Sequence, residues 1–249
     1  MGADTGADTV CLVVPCFNEE TRLRPEQLCI IGNDPRVSLV LVDDGSTDGT
    51  LDQLRIVEGR IPRVTILSLG ANRGKGEAVR AGLLASRSTG SGWVGYVDAD
   101  MSTPPSEVLR LVDVAAASTD RDVLLGSRVA LLGREVRRSP FRHHTGRVFA
   151  TLASWVLAKP VYDTQCGAKL FRRTEAFERS IDTPFRSRWA FDVELLGRLD
   201  RAGIDASRFW EEPLLEWCDV DESRRSIVAS VRASIELFPI WRDLRSARR

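Results

Sequence analysis

The sequence shows no surplus of charge of either sign, because 35 Lys and Arg residues balance 35 Asp and Glu residues. No overall field attracts nucleic acid, so anion binding must rest on local clusters of basic residues. No apolar run reaches the ~20 residues of a membrane-spanning helix, and the N-terminus lacks the basic and apolar regions of a signal peptide. We therefore expect a cytoplasmic protein that touches a membrane only peripherally, at the cytoplasmic face.

Cysteine pairs and histidine clusters are also missing. The five cysteines are odd in number, and their spacing fits neither a zinc site nor a redox motif. The adjacent His143 and His144 have no third ligand at metal-binding spacing. We therefore expect reduced thiols, as in other cytosolic proteins, at Cys11, Cys16, Cys29, Cys166 and Cys218.

The first half of the chain alternates β-branched runs with helical patterns. The runs are nearly continuous in apolar residues, as in strands buried on both faces, and lie at 10–14, 37–42, 64–69 and 93–97. Helical spacing occurs at 77–85, 106–117, 141–158, 191–202 and 226–238. This alternation predicts an α/β fold with a Rossmann-like, mostly parallel central sheet and helices on both faces. Because no linker or repeat interrupts the chain, we expect residues 1–249 to form one domain.

Polar residues follow the first two predicted strands, where ligands bind in parallel sheets. The first strand ends in residues 15–20 and the second in residues 42–50. Adjacent carboxylates at Asp43 and Asp44 can accept hydrogen bonds from a ribose or a base. A turn and a helix cap explain the small polar residues that follow equally well.

Two further strand ends carry candidate phosphate and metal ligands. The third strand leads to Gly74-Lys75-Gly76 before a helix, which suits a diphosphate, although an ordinary loop has the same appearance and a P-loop is excluded. The fourth ends in Asp98-Ala99-Asp100. Alternate residues on an extended segment point the same way. The two carboxylates can therefore hold one Mg²⁺ or Mn²⁺ that bridges phosphate oxygens.

Together these motifs resemble the family 2 glycosyltransferases of the GT-A fold. Three later blocks extend the resemblance: GSR at 126–128, DTQCGAKLF at 163–171 and RWAFDVELL at 188–196. They are similar to the polyprenyl-phosphate (dolichyl-phosphate) β-glucosyltransferase branch, near the dolichyl-phosphate mannose synthases. The resemblance runs in order through residues 10–225.

This resemblance implies an inverting, metal-dependent hexosyltransferase that moves glucose from UDP-glucose to polyprenyl or dolichyl phosphate. It implies a nucleotide-binding half at 10–125, an acceptor and sugar half at 126–225, and a C-terminal helix with a basic tail at 226–249. Eukaryotic relatives carry an N-terminal membrane anchor that is missing here, so a soluble small-molecule acceptor is the alternative. A sugar nucleotidyltransferase is a remote alternative, because such enzymes carry a basic, glycine-rich loop after the first strand.

Site roles follow from the resemblance position by position. The nucleotide pocket is expected at Pro15, Phe17, Glu19, Val42, Asp44, Lys75, Asp98 and Ala99. The metal is expected at Asp98 and Asp100, and catalytic roles around the sugar at Asp100, Gln165, Asp192 and Glu194. An acceptor-phosphate clamp is expected at Arg128 and Arg142. Many relatives carry Gln as an extra metal ligand where this sequence has Ser102.

The acceptor decides whether a general base is needed. A phosphate monoester has a second pKa near ~6 and is already anionic at neutral pH, so it needs an arginine clamp more than a base. A hydroxyl acceptor would have to lose its proton to Asp163 or Asp192. The residues alone leave both acceptors open, and the resemblance favours the phosphate.

The helical pattern at 141–158 combines arginines with an apolar face. Such a helix can lie on an anionic membrane and receive a polyprenyl chain. The alternative is that this face belongs to the protein core, as most such faces do. The expected partners are thus a nucleotide sugar, a polyprenyl phosphate or soluble acceptor, and a membrane surface, with no nucleic acid.

Overall fold

The computed structural model describes residues 8–137, 140–218 and 225–246, without the side chains of 137, 140–144, 225–233 and 246. The strands are β1 (Val10–Cys16), β2 (Val37–Asp43), β3 (Val64–Ser68), β4 (Trp93–Val97), β5 (Val123–Ser127), β6 (Glu135–Arg137), β7 (Ala168–Arg172), β8 (Phe209–Pro213) and β9 (Glu216–Cys218). Seven of them form one sheet in the order β3-β2-β1-β4-β7-β5-β8, while β6 and β9 pair separately. The predicted Rossmann-like α/β fold is confirmed, and all four predicted strands are present.

One strand of the central sheet runs against the others. β7 is antiparallel to both β4 and β5, whereas the remaining neighbours are parallel. The beginning of β7 therefore lies beside the end of β4, with Ala168 paired to Val97. The amide of Asp98 accordingly donates to the carbonyl of Gly167 at 2.9 Å. This reversal brings the DTQCG block to the edge of the sheet where β1, β2 and β4 end.

The hydrophobic core occupies both faces of the sheet. In β1, Cys11 and Val13 pack on one face, and Val10 and Leu12 pack on the other. All four are fully buried. Burial of each such side chain contributes about 1.5–3 kcal/mol relative to exposure, which explains why these strands are nearly continuous apolar runs.

Helices cover the two faces of the sheet. They are α1 (Pro25–Gly32), α2 (Thr50–Glu58), α3 (Lys75–Ala85), α4 (Pro105–Ala117), α5 (Pro140–Leu157), α6 (Glu175–Asp182), α7 (Phe191–Arg201) and α8 (Arg225–Ser246). Within the ranges that the structure describes, no helix combines the length and apolar character needed to cross a bilayer.

The last helix continues past the predicted end at residue 238. Pro239 lies inside α8, although proline lacks the backbone donor of a helix interior. Leu237, Ile240 and Leu244 are buried against the core. Packing on both sides of the proline therefore outweighs the lost hydrogen bond and extends the helix to Ser246.

Candidate active site

Side-chain hydrogen bonds tie together the loops that follow β1 and β2. The amide of Asn18 donates to Ser46 Oγ at 3.1 Å, and Asn18 Oδ1 accepts from the amide of Thr47 at 2.9 Å. Asp48 Oδ1 accepts from the amide of Thr50 at 3.0 Å, at the first residue of α2. The polar run after β2 thus forms a turn that leads into α2, as the sequence allowed, whereas the N-cap residue of α2 is Gly49 and has no capping side chain.

Asp44 holds the loop that leads into α3. Its two carboxylate oxygens accept from the amides of Arg73 at 2.7 Å and Gly74 at 2.8 Å. Gly74 has a φ of 93°, and a β-carbon there would lie 2.5 Å from Arg188 Nε. Because Gly74 directly precedes Lys75, Asp44 fixes the backbone from which the lysine extends.

Lys75 and Asp98 form an ion pair at the end of β4, with Nζ 2.6 Å from Oδ1. Gly167 closes the other side, because a β-carbon there would lie 1.9 Å from Asp98 Oδ2. Burial raises the pKa of Asp98, but the nearby cations outweigh burial and hold this pKa below its usual value. Lys75 has the largest effect among these cations, followed by Lys169 and Arg128. Asp98 is therefore ionised and available as a ligand.

Two more carboxyl groups, those of Asp100 and Glu19, lie near enough to Asp98 to interact with its charge. Burial raises the pKa of Asp100, and the charge of Asp98 raises it further. Burial raises the pKa of Glu19 to about 7 against the opposing charge of Arg22, with Asp100 and Asp98 adding to the rise. Glu19 Oε2 is buried and accepts no hydrogen bond from the described part of the chain. Negative charge is thus concentrated at this sheet edge beyond what Lys75 neutralises.

The Asp98 and Asp100 pair fits a hard divalent cation whose coordination is completed from outside the protein. A cation between the two carboxylates would relieve the repulsion that raises the pKa of Asp100. Within residues 8–137, 140–218 and 225–246, no three Asp, Glu, His or Cys side chains are arranged to hold a metal by themselves. Diphosphate oxygens and water would fill the other positions, as is usual for Mg²⁺. Ser102 contributes a backbone amide, which donates to Asp100 Oδ1 at 3.0 Å.

A buried polar network connects Asp192, at the start of α7, to this centre. Asp192 Oδ1 accepts from the hydroxyl of Tyr96 and from Lys169 Nζ, the latter at 2.8 Å. Lys169 is 1% exposed and also donates to the carbonyl of Cys166 at 2.5 Å. Burial lowers the pKa of Lys75, but Asp98 and Asp192 outweigh it and raise this pKa. The structure therefore brings Asp192 close to the Lys75–Asp98 pair.

Arg128 is held by Asp163 through two side-chain bonds, Nε to Oδ2 at 2.6 Å and Nη2 to Oδ1 at 2.8 Å. Burial lowers the pKa of Arg128, but the ion pair with Asp163 outweighs this effect and raises it. The amide of Gln165 donates to Asp163 Oδ1 at 3.2 Å, so the DTQCG block is folded around this pair. Arg142 lies outside the described side chains, and its predicted part in the clamp stays a prediction.

The carboxylate of Glu194, which the sequence predicts at the sugar, bonds residues of the loop before α7 and of α7 itself. Oε2 accepts from the amides of Arg186 at 2.9 Å and Ser187 at 3.2 Å, and Oε1 accepts from Arg198 Nη2 at 2.6 Å. Both oxygens are therefore engaged by the protein. Because helical residues two positions apart point in different directions, Asp192 and Glu194 do not share one surface. Glu194 supports the loop before α7.

The remaining residues of the predicted nucleotide pocket lie at or after the ends of β1, β2 and β4. Pro15 and Val42 are register partners in the β1–β2 pair. Phe17 is 40% exposed, whereas Val42 and Ala99 are buried. An exposed aromatic ring beside a polar strand end can stack on a base.

Sequence reasoning assigned no role to Tyr96 or Lys169. The sequence does indicate a role for Lys169, because a lysine inside the apolar strand Ala168–Arg172 needs a buried partner. It indicates none for Tyr96, since a tyrosine is ordinary in a strand. Glu236, on α8, is the third unassigned residue: its Oε2 accepts from the amide of Trp189 at 3.0 Å.

A family model described as glycosyl transferase family 2 matches residues 11–180 of the chain. The chain is 32% identical to the dolichyl-phosphate beta-glucosyltransferase of Drosophila melanogaster, over 96% of this chain and 76% of that protein. It is 31% identical to the dolichyl-phosphate beta-glucosyltransferase of Saccharomyces cerevisiae, over 92% of this chain and 73% of that protein.

Solved structures with the same fold include glucosyl-3-phosphoglycerate synthase from Mycobacterium tuberculosis. Its complex with UDP superposes with a TM-score of 0.67 at 20% identity, over 97% of this chain and 85% of that one. Its complex with Mn²⁺, UDP and glucosyl-3-phosphoglycerate gives a TM-score of 0.65 at 22% identity, over 92% of this chain and 78% of that one. These similarities establish the fold.

Proposed function

Because the chain belongs to glycosyl transferase family 2, we propose that it is an inverting transferase that moves glucose from UDP-glucose to a polyprenyl phosphate. The observation that carries this proposal is the acidic end of β4 beside a cation, with Asp98 2.6 Å from Lys75. Sequence identity of 31–32% to two dolichyl-phosphate beta-glucosyltransferases supports the choice of sugar and acceptor.

In this proposal the uridine lies over the ends of β1 and β2. Phe17, 40% exposed, stacks on the base, and Pro15, Val42, Glu19 and Ala99 shape the pocket. Asp44 acts through the loop that it holds, because both of its oxygens bond backbone amides. Its role is thus to position Lys75 as well as to face the nucleotide.

The diphosphate would lie against Lys75, with Mg²⁺ or Mn²⁺ held by Asp98 and Asp100. Such a metal ion supplies Lewis-acid stabilisation of the charge that builds on the leaving diphosphate. Lys75 supplies a further fixed positive charge at the same oxygens. Gln165 and Asp192 would face the glucose, and Lys169 and Tyr96 keep Asp192 in place.

Transfer then needs no general base on the protein. An oxygen of the acceptor phosphate forms the bond to the anomeric carbon, the bond from that carbon to the UDP oxygen breaks, and UDP leaves with inversion. The phosphate is already ionised near neutral pH. Arg128 would receive it, held by Asp163 through both side-chain oxygens. Because those oxygens are engaged, Asp163 is poorly placed to take a proton from a hydroxyl acceptor.

We further propose that the face formed by α5 and α8 rests on the membrane that holds the acceptor. Five large apolar side chains described on these helices are exposed, at 41–67%: Val148, Leu152, Trp155, Ile235 and Phe238. The two helices carry six arginines and only two acidic residues. Both acids face protein groups, since Glu236 bonds Trp189 and Asp243 pairs with Arg186. An exposed apolar face on two helices rich in arginine suits an anionic lipid surface.

A cross-screen of donors and acceptors tests the proposed reaction. Purified protein with Mg²⁺ or Mn²⁺ is offered UDP-glucose, GDP-mannose or UDP-N-acetylglucosamine, each with and without a short polyprenyl phosphate. We expect UDP release that requires both UDP-glucose and the lipid phosphate. UDP release unaffected by the lipid would move the acceptor to a soluble molecule and make Asp192 the base to test. Pyrophosphate release from a sugar phosphate and UTP would instead indicate a nucleotidyltransferase.

A further inference from the structure

The start of α7 lacks an acceptor of its own. Its N-cap residue is Ala190, whose methyl side chain cannot accept a hydrogen bond. Helices are stabilised by oxygen acceptors and negative charge at this end. Here the negative charge comes from another helix, because the carboxylate of Glu236 on α8 accepts from the amides of Trp189 and Ala190, just before α7.

One oxygen of Glu236 gathers three donors. Oε2 accepts from the hydroxyl of Ser187, from the amide of Trp189 at 3.0 Å and from the amide of Ala190 at 3.3 Å. Ser187 is buried, and its Oγ also accepts from the amide of Ala190 at 2.6 Å. We call Glu236, Ser187, Trp189 and Ala190 the α7 clasp.

The segment held by the α7 clasp packs against the loop that carries Lys75. The amide of Gly76 donates to the carbonyl of Arg188 at 3.2 Å, and Arg188 Nη2 donates to Asn72 Oδ1 at 3.1 Å. The two segments are in close contact, since a β-carbon at Gly76 would lie 2.8 Å from the carbonyl oxygen of Ser187. A shift of this segment would therefore shift Lys75.

The segment that the clasp holds, residues 187–190, lies just before Asp192 in the chain. Asp192 is the second residue of α7, and its bonds to Tyr96 and Lys169 depend on where the helix begins. The α7 clasp therefore supports Lys75 at the proposed diphosphate site and Asp192 at the proposed sugar site.

We propose that Glu236 is a positioning residue, which fixes Lys75 and Asp192 through the α7 clasp without touching the substrates. This inference rests on the proposed function for its kinetic consequences, but the contacts are independent of it. It assigns α8 a role in the geometry of the active site in addition to its packing against the core.

Replacement of Glu236 tests the inference in the intact chain. A charged hydrogen bond contributes enough that its loss changes an equilibrium about tenfold or more. We expect Glu236→Ala to lower kcat/KM for UDP-glucose by about that factor, mainly through KM. Glu236→Gln keeps an oxygen acceptor and should recover most of the loss. Ser187→Ala combined with Glu236→Ala should cost less than the sum of the two single losses, because the two residues share one hydrogen bond.

The matched control is Asp243→Asn on the same helix, which breaks the ion pair with Arg186 (2.7 Å) but leaves the clasp intact. It reports what weaker attachment of α8 does by itself. We expect it to leave the KM for UDP-glucose unchanged. An equal rise in KM for Asp243→Asn and Glu236→Ala would overturn the inference, because the effect would then belong to helix attachment.

Hydrogen exchange of the free protein gives a readout without substrate. Exchange at the amide of Trp189, whose acceptor is Glu236, should accelerate in Glu236→Ala and stay unchanged in Asp243→Asn. Unaltered protection in Glu236→Ala would contradict the clasp even if the wild type showed no turnover. Conversely, a wild type that fails to use UDP-glucose while the exchange result holds would refute the proposed function and leave the clasp standing. If Glu236→Ala fails to fold, Ser187→Ala takes its place, because it removes the hydroxyl that donates to Glu236 and accepts from the amide of Ala190. Exchange at the amide of Ala190 should then accelerate, and unaltered protection there would overturn the inference.

Discussion

The absence of a methyl group at residue 167 lets Asp98 occupy its place at the end of β4. A β-carbon there would overlap Asp98 Oδ2 at 1.9 Å, and the carbonyl of the same residue already accepts from the amide of Asp98. The backbone is held by β7 on one side and the carboxylate by Lys75 on the other. Neither the backbone of residue 167 nor the carboxylate of Asp98 can move away without displacing a residue of the site.

Gly167→Ala should therefore lower activity strongly, although it adds only one methyl group. A displacement of about 1 Å at a reacting centre can cost ~10²-fold in rate, and we expect a loss of that order in kcat/KM for UDP-glucose. The matched control is Gly59→Ala, since a β-carbon at Gly59 meets only ordinary contacts beyond 3.4 Å. Near-normal turnover of Gly167→Ala in the donor assay would show that Asp98 does not need this position.

Asp100→Asn should change stability and activity in opposite directions. Burial and the charge of Asp98 raise the pKa of Asp100, so removal of the Asp100 charge relieves both effects in the metal-free protein and should raise its Tm. Loss of the carboxylate ligand should lower UDP release by ~10²-fold or more, as for other electrostatic catalytic groups. Thermal unfolding in chelator and turnover with Mn²⁺ measure the two effects. Retained turnover would refute the metal assignment.

Glu19 should make the metal-free protein less stable as the pH rises. The pKa of its carboxyl is raised from 4.5 to about 7 on folding. Between these pH values only the folded state holds the proton, so the stabilisation is complete below pH 4.5 and is lost as the pH rises through about 7. Glu19→Gln removes this dependence and should exceed the wild type by about 1–3 kcal/mol above pH 7.

Chemical unfolding of both proteins across this pH range, in chelator, measures the difference. Glu20→Gln, at the exposed neighbouring position, is the control and should follow the wild type. Parallel stability curves for wild type and Glu19→Gln would contradict the shifted pKa.

At the scale of single elements, α8 has a buried face and an exposed face, and residues two positions apart lie on opposite faces. Ile240 is 1% exposed in the core, whereas Phe238 is 65% exposed. Ile240→Ala should destabilise the fold by ~2–4 kcal/mol, and Phe238→Ala should change stability little. Urea unfolding of the two variants makes the comparison. Equal destabilisation would mean that Phe238 is covered by the protein and unavailable to a membrane.

Element boundaries show where the sequence was informative. The parallel strands were predictable, because burial on both faces requires apolar runs, and the run at 93–97 coincides with β4. The reversed direction of β7 was not, since no short-range pattern specifies which strand lies beside β4. The end of α8 was missed at Pro239 because the packing of Ile240 and Leu244 is a tertiary effect.

The candidate site divides in the same way. Asp98 and Lys75 were predictable as neighbours, because both follow strand ends at one edge of the sheet. The bond between Tyr96 and Asp192 joins residues 96 positions apart, and no linear motif contains it. Glu194 belongs to the same block as Asp192, and the motif does not reveal that its carboxylate bonds Arg186 and Arg198.

The whole molecule carries no net charge, yet its arginines are unevenly distributed. We expect the α5 and α8 face to bind vesicles that contain phosphatidylglycerol, and to bind them more weakly in high salt, because local charge is screened over ~10 Å. Trp155→Ala should weaken this binding in a sedimentation assay. Trp210→Ala is the control, as an exposed tryptophan on β8. Equal binding to neutral vesicles, or an equal loss in both variants, would refute an anionic-membrane face.

The reversed strand β7 also affects how the chain can fold as it leaves the ribosome. β1 to β4 can assemble in their final order once residue 97 has emerged, but the outer edge of β4 awaits β7, which ends at Arg172. At ~5–20 residues per second, this interval lasts several seconds at least. During that time an apolar strand edge is open to pairing with other nascent chains, so synthesis exposes the strand that leads to Asp98 and Asp100 to aggregation.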